Sequence, residues 1–333
     1  MANYFERQRN PACYQGPNMR KQHFEGWYFK VISQDEQHKF AFIPGVFLDK
    51  SQPEKNHAFI QVFNGQNDSV RVIRYPFDTF SPASGVFDVK LGPNRFSAAS
   101  MTLQIAEPDA HIAGELRFRG NIPWPGNWLS PGIMGWYTWV PFMECYHGVV
   151  SMDHEIDGAL MIDGELMDFT GGRGYIEKDW GQAFPEAWVW CQTNHFDTPG
   201  TSLTGSAAII PWLSGAFLGY IVGLWHEGQL YRFTTYTGAK LVDLAIDDTQ
   251  VQMVLAQGDL RLSMSSNRTP GGILYAPTLK GMNRTITESL KTETKVHLSR
   301  NGNTIFSGTG RHSGFEVAGN LERLIEMWIK TNR

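Results

Sequence analysis

The chain has 333 residues, a net charge of −4 and 42% hydrophobic residues, which is the composition of a folded soluble protein. This length exceeds what one hydrophobic core comfortably supports, so we expect two domains or one elaborate domain. No basic stripe accompanies the aromatic residues, and nucleic acid is therefore excluded as an expected partner.

The three cysteines and the N-terminal residues narrow the class of protein further. Cys13, Cys145 and Cys191 have no CxxC spacing, so neither a disulfide framework nor a zinc ribbon is expected. The first residues contain no apolar segment typical of a secretory signal, and we expect a cytoplasmic protein.

Strand signals dominate the chain. Alternating apolar and polar runs surround Asn64-Gly65, Asp157-Gly158, Asp163-Gly164 and Asn301-Gly302, and such dipeptides are strong hairpin signals. Turn signals recur about every ten residues, which is typical of antiparallel barrels and sandwiches. We therefore predict a mostly β protein.

One apolar segment has the length of a membrane span. The run from Ser206 to Trp225 carries no charge and approaches the ~20 residues that a spanning helix needs. However, "PWLSG" in its middle is typical of a turn between two short strands. We predict a buried β-hairpin here rather than a spanning helix.

The two halves of the chain resemble each other. "EGWYF" at 25–29 and "EAWVW" at 186–190 share one pattern, and an Ile-Pro pair follows each. We interpret this as two related β-barrel domains, 1–178 and 179–333. Leu321, Leu324, Ile325 and Trp328 follow helical spacing and predict a terminal helix over 320–331.

The stretch 122–150 breaks this regularity. It contains four Pro, four Trp and a single acid, Glu144. A loop this apolar must cover the other domain, a hydrophobic cavity or a membrane surface, since it would otherwise aggregate in water. Contact with a membrane surface therefore stays open.

Aromatic and polar residues share one face of the strand at 186–196. Side chains alternate along a strand, so Trp188, Trp190, Gln192 and Asn194 lie on the same side. Two indoles followed by two amides form a poor pure core, because buried amides need partners. They form a good pocket wall, and we predict that these four residues bind a hydrophobic small molecule.

Two acids stand among large aromatics. Glu25 shares a strand face with Trp27, and Asp179 directly precedes Trp180. Burial raises the pKa of a carboxyl group, and a neutral carboxylic acid can donate a proton near neutral pH. Both acids are candidate proton donors, with an ion pair or a strand cap as the alternative for each.

Four segments resemble signature segments of the tocopherol cyclase family. They are "HFEGWYFK" (23–30), "WVPFMECYHGVVSM" (139–152), "GYIEKDWGQAFPEAWVWCQTNHF" (174–196) and "GFEVAG" (314–319). The resemblance implies two tandem lipocalin-like antiparallel β-barrel or sandwich domains with a C-terminal helix. Related two-barrel proteins include carotenoid hydratases and cyclising enzymes of natural-product pathways.

The resemblance also implies a reaction, the conversion of a prenylated hydroquinone to a chromanol. A proton goes to the tail alkene and the neighbouring phenol oxygen closes the ring. Asp179 or Glu25 would donate this proton, and His147 would accept the phenolic proton because its reference pKa lies near neutrality. Indole faces attract cations, and amides orient a head group. The substrate-binding set is therefore Trp27, Trp180, Trp188, Trp190, Gln192, Asn194 and Glu144.

No cofactor or metal is expected for this chemistry. "GGRG" at 171–174 has strand signals on both sides and no following helix, so we interpret it as a hairpin link rather than a phosphate loop. Glu144-x-x-His147 is half of a carboxylate–histidine metal motif, and no second copy exists in the sequence.

Two other functions remain open. A lipocalin-like carrier would bind a prenyl lipid without converting it, and a hydratase would add water to an isoprenoid alkene. A carrier needs the aromatics but has no use for an acid among them. Acids that face the cavity would therefore favour an enzyme, and acids in solvent salt bridges would favour a carrier.

Overall fold

The predicted fold class is confirmed by the computed structural model, which describes residues 4–16 and 22–332. The chain is mostly β, with two large antiparallel sheets and a C-terminal helix. It divides into two compact units.

The first unit comprises the chain up to Phe184 together with Leu274–Thr285. Its elements up to Phe184 are α1 (Tyr4–Arg9), β1 (Gln22–Ile32), β2 (Lys39–Asp49), β3 (His57–Asn64), β4 (Ser69–Pro76), β5 (Phe80–Pro82), β6 (Asp88–Leu91), β7 (Asn94–Ser97), β8 (Ser100–Glu107), β9 (Ala110–Arg119), β10 (Cys145–Ile162), β11 (Glu165–Asp168) and β12 (Arg173–Gly181). The sheet order is β4-β3-β2-β1-β12-β10-β9-β8-β7-β6-β5, and β11 pairs with β10.

The central strands of this sheet have two chemically different faces. Trp27 and Phe29 on β1 and Ile176 on β12 belong to the hydrophobic core of the unit. Cross-strand partners share a face, so His147 on β10 and Asp179 on β12, which pair in register, lie on the face opposite to that core.

The second unit comprises Pro185–Ile273 and Ile286 to the C-terminus. The elements after Phe184 are β13 (Ala187–Thr193), β14 (Ser202–Trp212), β15 (Gly215–His226), β16 (Gln229–Thr234), β17 (Lys240–Ile246), β18 (Gln250–Gln257), β19 (Leu260–Asn267), β20 (Gly272–Thr278), β21 (Gly281–Arg300), β22 (Asn303–Gly319) and α2 (Leu321–Thr331). The sheet order is β16-β15-β14-β13-β22-β21-β19-β18-β17, and β20 pairs with β21.

The two sheets repeat one arrangement. Each begins with a four-strand meander, β1–β4 or β13–β16, and the first strand of the meander then pairs with a later strand, β12 or β22. The sequence echo does not superpose residue by residue, however. Trp27 belongs to the core of its unit, whereas in the second unit Val189 does so and Trp188 does not.

The predicted domain boundary between Lys178 and Asp179 falls inside β12. The structure places the division at Phe184–Pro185 instead. The reason is that β12 is paired with β1 on one side and β10 on the other as far as Gly181, so a cut at residue 178 would split a central strand.

Of the four predicted turns, three are confirmed and one is wrong. The turns at Asp163-Gly164 and Asn301-Gly302 are confirmed, and all four residues have positive φ, which glycine and, less readily, asparagine and aspartate tolerate. The turn predicted at Asp157-Gly158 is wrong, because both residues lie within β10. The turn after Asn64 is confirmed between β3 and β4.

The apolar segment 206–225 forms the predicted hairpin of β14 and β15, but the hairpin is buried only in part, since Leu213 at its tip is 82% exposed. Within residues 4–16 and 22–332, the helices are all too short or too polar to cross a membrane. The predicted terminal helix is confirmed as α2, which starts one residue later than expected.

The predicted apolar loop is shorter than its sequence suggested, since 145–150 belong to β10. Its remainder is part core and part surface. Ile133 and Met143 are buried, whereas Trp128, Leu129, Trp136 and Phe142 are exposed.

Candidate functional site

A histidine lies between two carboxylates in the first unit. His147 Nδ1 donates a hydrogen bond to Asp179 Oδ1 at 2.9 Å, and its Nε2 lies 3.6 Å from Glu177 Oε2. The Tyr175 hydroxyl donates to Glu177 Oε2 at 2.5 Å. Tyr175, Glu177 and Asp179 therefore follow one face of β12, and His147 reaches them from β10.

The cluster runs from the interior toward solvent. Tyr175 and Glu177 are buried, whereas the side chain of Asp179 is 27% exposed. Of these four side chains, Asp179 is the one that an incoming ligand can contact most readily. We call these four residues the His147 cluster.

The two carboxylates determine the protonation of His147. Burial alone would lower the pKa of this imidazole, but the charges of Glu177 and Asp179 and the hydrogen bond that His147 donates to Asp179 raise it to about 9. His147 therefore carries a proton at neutral pH. This does not favour its predicted role as acceptor of the phenolic proton; an imidazolium supplies a proton instead.

The same cluster has a donor set that metal ions use. One ligand atom each from His147, Glu177 and Asp179 can be chosen such that all lie within 4.8 Å of one another. Both ring nitrogens already face carboxylates, so the protonated ring occupies the place of a cation. Glu144, the other half of the motif seen in the sequence, is not part of this set.

Glu25 lies on the opposite face of the sheet and is fully buried. Its carboxylate accepts hydrogen bonds from the backbone N–H of Gln15 at 2.8 and 3.1 Å and from His23 Nε2 at 2.8 Å. It also forms an ion pair with Lys178. Since Glu25 pairs in register with Trp180 rather than Asp179, the two predicted donors do not share a site.

This environment does not suit Glu25 for proton donation. Burial raises the pKa of a carboxyl group, but the Lys178 charge and the bond from His23 outweigh it, and the pKa of Glu25 is lowered. Burial also lowers the pKa of Lys178, although the charge of Glu25 opposes this. Glu25 is thus held as a carboxylate that fixes the backbone of Gln15 against β1.

The indoles of Trp27 and Trp180 already hold a cation. The Lys178 Nζ lies 4.8 Å from the ring centroid of each, a favourable cation–π distance. Each indole also stacks on an aromatic side chain, Phe87 on Trp27 and Tyr146 on Trp180. These two tryptophans are therefore packed around Lys178, which does not favour a role in stabilising a substrate cation.

The remaining predicted binding residues lie in the second unit, except Glu144. Trp188, Trp190, Gln192 and Asn194 are all buried, and Trp188, Trp190 and Gln192 lie outside the hydrophobic cluster formed by Val189 and Cys191. Trp188 Nε1 donates to Glu316 Oε2 at 2.6 Å. Asn194 Oδ1 lies 3.1 Å from His195 Nδ1.

Two further acids, Glu144 and Glu186, take part in structural contacts. The backbone carbonyl of Glu144 accepts hydrogen bonds from the N–H groups of Gln182 and Ala183, which joins the end of the apolar loop to the end of β12. Glu186 is 40% exposed at its side chain and pairs with Arg323.

Sequence reasoning missed three participants: Tyr175, Glu177 and Lys178. The signal was present, because strand alternation places residues 175, 177 and 179 on one face. Only the pairing of β10 with β12 brings His147 to that face, and this pairing cannot be read from local pattern.

The fold and this cluster define a two-unit β protein with a protonated histidine between carboxylates. Residues 115–319 match the pattern of the tocopherol cyclase-like family, and the chain belongs to that family. A maize chloroplastic tocopherol cyclase is 31% identical over 118 residues, which are 34% of this chain and 24% of the maize protein. A rice protein named "Probable tocopherol cyclase, chloroplastic" is 28% identical over 150 residues, 44% of this chain and 32% of its own. The matched region thus spans about a quarter to a third of these relatives.

Two solved structures share the fold. CghA superposes with a TM-score of 0.53 at 14% identity, covering 90% of this chain and 89% of its own. Kievitone hydratase from Nectria haematococca gives a TM-score of 0.50 at 10% identity, covering 96% and 93%. At such identities the comparison concerns the fold alone, and the lipocalin-like two-domain architecture agrees with the one described above.

Proposed function

We propose that the protein catalyses the intramolecular cyclisation of a prenylated hydroquinone to a chromanol, with the His147 cluster as its acid–base centre. The observation that carries this proposal is the imidazole of His147 between Asp179 and Glu177 at 2.9 and 3.6 Å. Family membership supports a cyclase or hydratase type of lipid chemistry.

Each member of the cluster has a distinct part. Asp179 is the exposed end and contacts the prenyl alkene. His147 stores the proton and passes it to Asp179 through their hydrogen bond. Glu177 holds the second ring nitrogen, and Tyr175 fixes Glu177 through its hydroxyl. An alkene is a very weak base, so the bound lipid must also exclude water, which disfavours the charged imidazolium–carboxylate pair and moves the proton onto Asp179 as a neutral acid next to the alkene.

The reaction balances without a co-reactant. The proton adds to the less substituted alkene carbon, and the tertiary carbon gains cation character. The phenol oxygen then forms the C–O bond, and the phenolic proton passes back to the cluster. The cluster ends with as many protons as it began with, so the step is an isomerisation that needs no nicotinamide or metal.

A lipid substrate would explain the exposed part of the apolar loop, and we propose that this part of the loop binds a lipid surface. Trp128, Leu129, Trp136 and Phe142 are exposed, and residues 122–143 contain no charged side chain. Tryptophan favours the boundary between lipid and water. The loop thus suits contact with the membrane from which a prenyl lipid is taken.

A hydratase is the second candidate, because the same cluster could protonate an isoprenoid alkene that water then attacks. The two reactions differ in mass: cyclisation leaves the substrate mass unchanged, whereas hydration adds one water. A carrier is the third candidate. The buried ion pair of Glu25 with Lys178 gives no support to an enzyme, but the partly exposed cluster at Asp179 does not suit a carrier.

The test is incubation of the protein with a prenylated hydroquinone, followed by chromatography with mass detection. We expect the wild type to form a product of unchanged mass and shorter retention time on silica. Asp179→Asn should form this product at least ~10²-fold more slowly. Asp168→Asn, an exposed acid on β11, is the matched control and should keep full activity. A product heavier by one water would select the hydratase, and binding without product would select the carrier.

A further inference from the structure

Two glycines lie next to Asp179 on the face of the sheet that carries the His147 cluster. Asp179 on β12 pairs in register with Gly26 on β1, and Gly26 pairs with Gly45 on β2. Cross-strand partners share a face, so His147, Asp179, Gly26 and Gly45 form one row across four strands. The whole row belongs to the first unit. Half of it therefore has no side chain.

Large side chains flank the two glycines along their strands. Phe24 and Tyr28 stand two residues before and after Gly26, and Phe47 follows Gly45 by two. Residues two apart on a strand share a face. These three aromatic residues are buried and lie outside the hydrophobic core of the unit. The glycines therefore form a depression between aromatic side chains, with the His147 cluster at one end.

The space above Gly26 is open, whereas the space above Gly45 is filled. Leaving its chain neighbours aside, a Cβ atom placed on Gly26 would have the Pro44 carbonyl oxygen as its nearest atom, at 3.8 Å. A Cβ atom on Gly45 would lie 2.5 Å from Phe59 Cζ. The ring of Phe59 thus closes the depression at Gly45. What stays open is one space over Gly26, directly beside Asp179.

Solvent reaches the sheet at this same position. Along β1 (Gln22–Ile32), every residue is buried except Gly26. Along β12, Asp179 is accessible and the other accessible residue is Arg173 at the start of the strand. A ligand can therefore enter the space over Gly26 from solvent and meet the carboxylate of Asp179 there.

The dimensions and lining of this space fit one branched hydrocarbon group. Neighbouring strands lie about 4.8 Å apart, and the space is one strand wide with aromatic side chains around it. Closure of a chromanol ring joins the phenol oxygen to the alkene of the first isoprene unit. That alkene carries a methyl branch, which is the size of the side chain that glycine lacks.

We infer that Gly26 is the specificity-determining residue of the His147 site. Its missing side chain admits the methyl-branched alkene of the first isoprene unit and lets the less substituted alkene carbon contact Asp179. A larger residue at position 26 would hold this carbon away from the acid. The inference rests on the proposed function, and it assigns the part of the site that holds the reacting alkene.

Thermal unfolding of the free protein tests whether the space is open. The φ angle of Gly26 lies outside the left-handed region that disfavours side chains, so Gly26→Ala should leave the melting temperature unchanged or raise it. Gly45→Ala is the matched variant and should lower it, because its Cβ would collide with Phe59. A loss in Gly26→Ala as large as that in Gly45→Ala would overturn the inference.

The second test is binding of two hydroquinones that cannot react. Isopentylhydroquinone carries the saturated form of one prenyl unit, and n-butylhydroquinone lacks its methyl branch. Titration calorimetry should give about fourfold tighter binding of the branched compound by the wild type, as one buried methyl group provides. Gly26→Ala occupies the place of that methyl group and should abolish the preference. Gly215→Ala, at an exposed glycine of the β14–β15 hairpin without positive φ, is the matched control and should keep it.

The binding and turnover measurements separate the inference from the proposed function. Gly26→Leu fills the space and should slow chromanol formation at least about tenfold. If the wild type forms no chromanol but Gly26→Ala loses the preference for the branched compound, the binding space stands and the proposed reaction falls. If chromanol forms and the preference is absent from the wild type or survives in Gly26→Ala, the reaction stands and the role of Gly26 is refuted.

Discussion

The protonation of His147 offers the sharpest physical prediction. Its imidazole lies between Asp179 and Glu177, and its pKa is raised from 6.5 to about 9. Glu177→Gln removes the negative charge of the carboxylate whose Oε2 lies 3.6 Å from His147 Nε2. We expect this change to lower the pKa of His147 by about 1–3 units. Glu155→Gln, an exposed acid on β10, is the matched control and should leave the pKa unchanged.

The raised pKa has a consequence for stability. A shift from 6.5 in the unfolded chain to about 9 in the folded protein corresponds to about 3 kcal/mol. Since the folded state binds this proton more tightly, the stabilisation is fully present below pH 6.5 and is lost as the pH rises through 9. His147→Gln should lack this contribution.

NMR titration of the histidine ring resonances measures the pKa directly, with His147→Gln used to assign the signal. His154 serves as an internal reference, because burial lowers its pKa to about 3, and it should not titrate near neutral pH. A His147 signal that titrates near 6.5, and does so equally in Glu177→Gln, would refute the proposed electrostatics of the cluster.

Two further predictions concern the buried Glu25–Lys178 pair and the apolar loop. Glu25→Gln leaves the fully buried Lys178 without its anion and should destabilise the protein by about 3–5 kcal/mol. The double variant Glu25→Gln with Lys178→Met should recover much of this loss in denaturant unfolding. An equal loss in both variants would count against the pairing. Trp128→Ser with Leu129→Ser should weaken cosedimentation with phosphatidylcholine vesicles about tenfold or more, because each exposed side chain buries apolar surface on docking. Leu213→Ser, at an 82% exposed position in the β14–β15 hairpin, is the control, and vesicle binding that depends equally on Leu213 would contradict a specific lipid-facing loop.

Local pattern was sufficient for much of the fold. Period-2 alternation and Asp-Gly or Asn-Gly dipeptides identified the hairpins at Asp163 and Asn301, because positive φ at those positions is a local requirement. The same signal failed at Asp157, where long-range pairing with Arg117 on β9 keeps the chain extended. Pairing partners far apart in the sequence therefore decided which turn signals were used.

The candidate site depended on the same non-local information. The sequence identified Asp179 and His147 as reactive groups, but only the register of β10 against β12 brings them to 2.9 Å. The acidity expected for Glu25 failed because Lys178, on a strand more than a hundred residues later in the chain, neutralises it. Burial could be inferred from the aromatic neighbours, whereas the identity of the partner charge could not.

The central claim is that a proton from the His147 cluster initiates ring closure on a lipid alkene. Turnover of a prenylated hydroquinone in D₂O tests this most directly, because the proton that adds to carbon does not exchange afterwards. We predict a chromanol with one carbon-bound deuterium, formed by the wild type and nearly lost in both Asp179→Asn and His147→Gln. Chromanol without carbon-bound deuterium, or equal rates in the wild type and both variants, would contradict the account.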